Sequence, residues 1–220
     1  MWTVIRRAAE GSAVDRDVFA ERYAPVIRAY LRARWRGTVR IHDVEDATQE
    51  VFVQCFKEGG ALTRAEPERA AGFRGYLYGV VRNVARRLER APHRRREAQP
   101  DSRLDLREIE AEEAPLSRVF DRAWAGARLQ EAGRRQLADA ARKGPEAVRR
   151  HELLVLRYRD DLPIREIARR WEVDAAWLHG QFRQAREEFK RALIDTVCEE
   201  TGGTRASAEA ECERLLQLLL

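Results

Sequence analysis

Lysine, methionine and cysteine are scarce in these 220 residues, at three, one and three copies. Cys55, Cys198 and Cys212 form no CxxC pair and have no histidines nearby at zinc-ligand spacing, so the reading is a reducing cytoplasm with no structural metal and no cofactor. Long apolar runs are missing as well. The last stretch, 215–220, is short and broken by Gln217, whereas a membrane-spanning helix needs roughly 18 apolar residues. The expectation is a cytoplasmic chain with no membrane partner. Residues 1–10 place Arg6 and Arg7 after a brief apolar start, the reverse of a secretory signal. Alternating strand-like runs bounded by turn residues are absent, and no segment repeats at a fixed period.

What the chain has instead is arginine, 39 copies, so that 42 basic residues against 37 acidic ones leave a net charge of only +5. Charged residues make up 36% of the chain at a mean hydropathy of -0.61, yet 44% is hydrophobic, which excludes wholesale disorder and describes a globular protein with charged surfaces. Against a typical domain of roughly 150 residues, the length allows one to two domains.

Apolar residues recur at three- and four-residue intervals almost throughout, which predicts an all-α fold. The spacing predicts helices over 17–35, 43–57, 67–90, 116–142, 146–160, 163–171, 175–195 and 205–219. Asp43 is placed to cap the second of these, and Gly59-Gly60 to end it. Between Pro92 and Pro115 the periodicity fails, and composition swings from Arg94, Arg95 and Arg96 to Asp101, Asp105, Glu108, Glu110, Glu112 and Glu113. The expected organisation is a helical domain over 1–92, an acidic linker over 93–115, a second helical domain over 116–195, and a C-terminal extension helix over 196–220.

Residues 163–193 read as a short helix, a tight turn and a longer helix, the spacing of a helix-turn-helix. Ile164, Ile167, Ala168 and Trp171 would face Val173, Leu178, Phe182 and Ala185, with Asp174 capping the second helix. Trp177, His179, Gln181, Arg183 and Arg186 would then point outward, where Gln and Arg read base edges and hold phosphates. An ordinary helical hairpin fits the same spacing.

In the first half, 73–90 puts Arg74, Tyr78, Arg82, Arg86 and Arg90 opposite the apolar stripe, flanked by Tyr76, Asn83 and Arg87. Arginines neutralise phosphates and rings stack on exposed bases, as single-stranded nucleic acid requires; a solvated face with half-buried tyrosines is the alternative. Upstream, Asp46, Gln49 and Glu50 share a helical face beside Phe52 and Phe56, with Asp43 and Glu45 at its start. Three readings of that acidic face stand: a solvated face, a dock for a basic partner, or a carboxylate cluster for a metal-dependent nuclease. The acidic face itself carries no histidine, lysine or serine to complete a hydrolytic set.

In this order, an acidic helix, a basic aromatic helix, an acidic linker and a helix-turn-helix resemble an RNA polymerase sigma factor of the extracytoplasmic-function (ECF) group. DVEDATQEVFVQCFK at 43–57 is similar to that family's polymerase-binding helix, FRGYLYGVVRNVARR at 73–87 to its promoter-melting helix, and HELLVLRYRDDLPIREIARRWEVD at 151–174 to the start of its second DNA-binding domain. The resemblance covers 14–195. It implies that Asp43, Asp46, Gln49, Glu50 and Phe52 dock on core RNA polymerase. It assigns the single-stranded minus-ten promoter element to Arg74, Tyr76, Tyr78, Arg82, Asn83, Arg86 and Arg87, with a base pocket in the loop 59–72. It assigns the minus-thirty-five duplex to Arg165, Trp177, His179, Gln181, Arg183 and Arg186. Tethering two weak DNA contacts makes one stronger one. The implied function is a non-catalytic transcription initiation factor, with an anti-sigma or other regulatory protein as a further partner. The competing reading is a stand-alone helix-turn-helix regulator of duplex DNA.

The chain departs from the family pattern in the DNA-reading helix. Glu172 stands where a turn glycine is usual, so a left-handed conformation there costs about 1 kcal/mol. Trp177, His179, Gly180 and Gln181 replace the usual Thr, Lys, Ser and Arg. In the tail, Ala208, Cys212, Leu215 and Leu219 form an apolar seam that packs on the chain's own core or, alternatively, meets a regulatory partner. Cys198 and Cys212 are expected to be inert thiols rather than redox sensors.

Overall fold

The computed structural model describes residues 2–65, 72–91, 106–201 and 203–219, with the side chains of 106–113 and 201 left aside. Among the described residues the fold is all-α: α1 (Trp2–Ala9), α2 (Ala13–Arg34), α3 (Val44–Phe56), α4 (Gly72–Arg90), α5 (Leu106–Lys143), α6 (Pro145–Tyr158), α7 (Ile164–Arg170), α8 (Ala175–Thr201) and α9 (Arg205–Gln217). No strand occurs among them, as the missing period-two patterning predicts.

The chain divides into two compact units. The first comprises Met1–Ala127 with Glu200–Gly202 and Arg214–Leu220, and the second Arg128–Glu199 with Gly203–Glu213. The expected boundaries differ from these in three places. Helix α5 starts at Leu106, inside the span read as a linker, and runs through Pro115 without ending. Residues 116–127 belong to the first unit, because Phe120 and Trp124 are buried in its aromatic core. Helix α8 continues to Thr201 rather than stopping near 195. The basic and acidic positions at 94–105 lie outside the described residues.

The first unit is built on rings. Phe19 and Tyr23 of α2 meet Phe52 and Phe56 of α3 and Phe73 of α4, Tyr30 meets Tyr78, and Trp124 stacks on Tyr23 with centroids 5.2 Å apart. Each such pair adds roughly 0.5–1.5 kcal/mol beyond the area it buries. Helix α1, which the charge pattern of residues 1–10 does not announce, buries Ile5 and Ala8 and sets Trp2 edge-on to Phe73. Ser12 caps α2 by accepting the Asp15 amide. Beneath the rings lies a charged knot: Arg34 donates to Glu89 and Tyr30, and the Trp35 indole donates to the same Glu89 carboxylate at 2.8 Å.

The second unit has an aliphatic centre. Leu153, Ile164, Ile167, Ala168 and Leu178 cluster where α6, α7 and α8 meet, with Leu156, Leu162, Trp171, Val173 and Phe182 around them. Helix α6 begins with Pro145 directly after Gly144, whose φ of +109° only glycine adopts freely. A nearly closed ion pair, Arg150 with Glu188 at 2.9 Å, ties α6 to α8. Beside it, Gln136 bridges the His151 ring nitrogen and the Ala185 carbonyl, which satisfies both ends of its buried amide.

Candidate functional site

Helix α3 presents the acidic candidates. Its buried side holds Val44, Ala47, Thr48, Val51 and Cys55, which leaves Glu45, Asp46 and Gln49 exposed on the other. Asp43 occupies the cap position, but its carboxylate makes no capping bond and lies 3.8 Å from Arg40. Phe52 is not on the open acidic face. It stacks nearly parallel to Phe56 and edge-on to Phe19, half-buried at the rim of the aromatic core. Glu45 pairs with Arg28 and Arg32. Glu50 accepts from the Gln54 amide and from Arg87 of α4, and these two donors hold its carboxyl below the usual carboxylate range. Among the described residues, no three His, Cys, Asp or Glu side chains gather as a metal site.

The chain leaves α3 through a turn that requires glycine twice. Gly59 has φ +60°, and a Cβ on Gly60 would fall 2.5 Å from the Lys57 carbonyl oxygen. This turn delivers Ala61, whose carbonyl accepts the Tyr76 hydroxyl from α4. Of the loop 59–72, expected to form a base pocket, residues 66–71 lie outside the described residues.

Helix α4 distributes its polar residues otherwise than the stripe suggests. Arg74, expected on an open basic face, forms an ion pair with Asp121 of α5. Tyr78 is half-buried, edge-on to both Tyr30 and Phe120. Tyr76 is tilted against Phe73 and its hydroxyl is taken. Arg82 and Arg86 are half-buried, and Arg87 reaches Glu50. Asn83 and Arg90 are exposed. The physical reason is α5: Phe120 and Trp124 cover the flank of α4 that the sequence leaves looking free, because their contribution comes from a segment more than thirty residues away.

In the second unit the short helix α7, a tight turn and the longer helix α8 follow one another. Helix α7 ends at Trp171, the Val173 amide donates back to the Ala168 carbonyl, and Glu172 takes φ +54°, the left-handed conformation expected at that position. Asp174 then caps α8 by accepting the Trp177 amide at 2.7 Å. Leu178 and Ala185 face the core, while Trp177, His179, Gly180, Arg183 and Arg186 of α8 and Arg165 of α7 are exposed. Gln181 is half-buried, lining a cavity of about 190 Å³ with Trp171, Trp177, Arg149 and Leu153.

Two aromatic and arginine contacts flank this helix that sequence reasoning missed. Arg149 of α6 lies over the Trp171 ring, 4.6 Å from its centroid. Tyr158, 65% exposed at the end of α6, rests against Phe182, over which Arg186 also lies. The Arg149–Trp171 and Tyr158–Phe182 contacts have no signal in one dimension, because their partners stand more than twenty residues apart, whereas Arg186 and Phe182 are one turn apart on α8.

The tail seam is largely internal: Ala208, Cys212 and Leu215 are buried and Leu219 is exposed. Burial, with Glu211 and Glu209 nearby, pushes the Cys212 thiol up to about 11, and burial raises Cys55 to about 12. Both stay protonated at neutral pH and are poor nucleophiles. The Cys198 thiol donates to the Gly203 carbonyl.

With α2, α3 and α4 in place, comparison with known families becomes informative. Residues 19–97 match Sigma-70 region 2. The matched segment contains both the acidic helix α3 and the basic helix α4, and it supports a sigma-factor role in transcription initiation with RNA polymerase and promoter DNA. No curated protein matches the chain. No helix among the described residues is long and apolar enough to cross a membrane.

Proposed function

We propose that this protein is a transcription initiation factor of the ECF sigma type, non-catalytic in itself, which binds core RNA polymerase and directs it to promoters. The observation that carries the reading is the Sigma-70 region 2 match over 19–97, the segment in which an exposed acidic strip on α3 stands next to an arginine-rich α4.

Asp46 and Gln49 offer an open, negatively charged strip to a basic partner surface, with Glu50 at its border and Asp43 at its start. Such complementarity sets orientation and association rate. Asn83, Arg87 and Arg90 are the exposed residues of α4 for capturing separated minus-ten DNA, with Arg82 and Arg86 beside them. Opening duplex DNA costs on the order of 1.4 kcal/mol per stacked step, so the factor has to hold the single strand better than the pair. The α8 face of Trp177, His179, Arg183 and Arg186, with Arg165 of α7, is the proposed minus-thirty-five contact. Here arginines hold phosphates, and the large Trp177 ring replaces the small polar residue usual in the family.

The test is association. Asp46→Lys with Glu50→Lys reverses the charge on the α3 strip, and a pull-down with core RNA polymerase should lose the protein while circular dichroism shows the fold retained. Full retention of binding by the double variant removes the docking assignment.

A further inference from the structure

The ion pair between Glu50 of α3 and Arg87 of α4 joins the two surfaces to which the proposed function gives different partners. One carboxylate oxygen of Glu50 already accepts from both the Gln54 amide, at 2.9 Å, and the Arg87 guanidinium. The pair is open to competitors, its side chains being 33% exposed for Glu50 and 52% for Arg87. On either side of it the neighbours are exposed: Asp46 and Gln49 along α3, Asn83 and Arg90 along α4.

We propose that the Glu50–Arg87 pair is a coupling element, through which polymerase docking on α3 and single-stranded DNA capture on α4 favour one another. A cation of the polymerase that takes Glu50 displaces Arg87, and a DNA phosphate that takes Arg87 releases Glu50. The pair is broken once, by whichever partner arrives first, and the second partner meets a side chain already released. By linkage the benefit is reciprocal. For a pair this exposed, its size is about two- to five-fold in each affinity. The inference rests on the sigma-factor reading, since without two different partners there is nothing to couple.

The experiment is a double-mutant cycle on the full chain at constant salt, read by two separate titrations. The first uses a short fluorescent oligothymidylate and no polymerase. Glu50→Gln should tighten binding two- to five-fold, more than Asp46→Asn, which removes an equal charge that Arg87 does not contact. The gain should vanish when Arg87→Ala is already present. The second uses core polymerase without DNA, for which Arg87→Ala should bind two- to five-fold tighter than the parent. Equal gains from Glu50→Gln and Asp46→Asn, or a Glu50→Gln gain that survives Arg87→Ala, would reduce the pair to general charge repulsion and overturn the proposal. If the parent protein binds both probes and the cycle is flat, only the coupling falls. If it binds neither, the sigma-factor reading falls with it.

Discussion

The two helices with the chemistry to meet DNA, α4 and α8, use their polar residues in opposite ways. On α4, Arg74 is held by Asp121, Tyr76 by Ala61, Tyr78 by Tyr30 and Phe120, and Arg87 by Glu50, which leaves Asn83 and Arg90 most open. On α8, Trp177, His179, Arg183 and Arg186 all face outward. The difference follows from packing. Helix α4 is enclosed by α2, α3 and part of α5, so most of its circumference is structural. Helix α8 at its N-terminal end buries one stripe, Leu178 and Ala185, against α6 and α7, and the rest stays open. An arginine-rich helix is therefore not by itself a binding face.

The sharpest way to break this comparison is to remove a ring from each unit. Trp124→Ala should destabilise the first unit by about 3–5 kcal/mol, the range for a buried aromatic, read by circular dichroism in denaturant. Trp177→Ala, at a residue 49% exposed, should stay within about 0.5 kcal/mol. Comparable losses would mean that α8 is as enclosed as α4.

Next in size is the charged knot under α4. Glu89→Gln leaves Arg34, only 7% exposed, without its counter-charge and should cost roughly 3 kcal/mol. Burial works against the Glu89 charge, yet hydrogen bonds from Arg34 and Trp35 hold its carboxyl below the usual 4.5. Its contribution is therefore complete above that pH and is lost as pH falls through the lower, folded value. Denaturant midpoints on acidification should fall in the parent and fall less in Glu89→Gln.

On the open helix the expected losses are in binding rather than stability. Arg183→Ala and Arg186→Ala should each weaken duplex binding and reduce the slope of log affinity against log salt by about 1, with unfolding unchanged. Arg74→Ala, whose partner is Asp121, should leave that slope nearly unaltered. An equal slope change for Arg74→Ala would return the covered face of α4 to DNA binding.

The smallest effect concerns Gly180. A Cβ there meets nothing within 4 Å, and glycine inside a helix costs about 1 kcal/mol relative to alanine. Gly180→Ala should raise the second unit's stability by up to that amount. Loss of duplex binding in the same variant would identify Gly180 as a point where the backbone approaches DNA.

How much of this the sequence discloses depends on whether the deciding contacts are local. The helix, turn and helix over 164–201 are legible because their determinants lie close in sequence: the apolar spacing around Ile164, Ile167 and Leu178, the Asp174 cap and the left-handed Glu172 are all local geometry. The helical class and the acidic strip of α3 are legible for the same reason. The role of Phe120 and Trp124 is not, since nothing in their own segment says which core they enter, and the boundary drawn at 115 misplaces them. Nor does periodicity reveal Tyr78 as a core ring or Glu50 and Arg87 as partners, because those contacts join positions 37 to 48 residues apart.

The most direct test of the central claim is run-off transcription by core RNA polymerase on fragmented genomic DNA, with and without this protein. A sigma factor produces new start sites that share an upstream motif, and the Asp46→Lys, Glu50→Lys variant produces none. An absence of new starts, together with failure to co-purify with core polymerase and tight duplex binding by the protein alone, would contradict the account in favour of a stand-alone regulator.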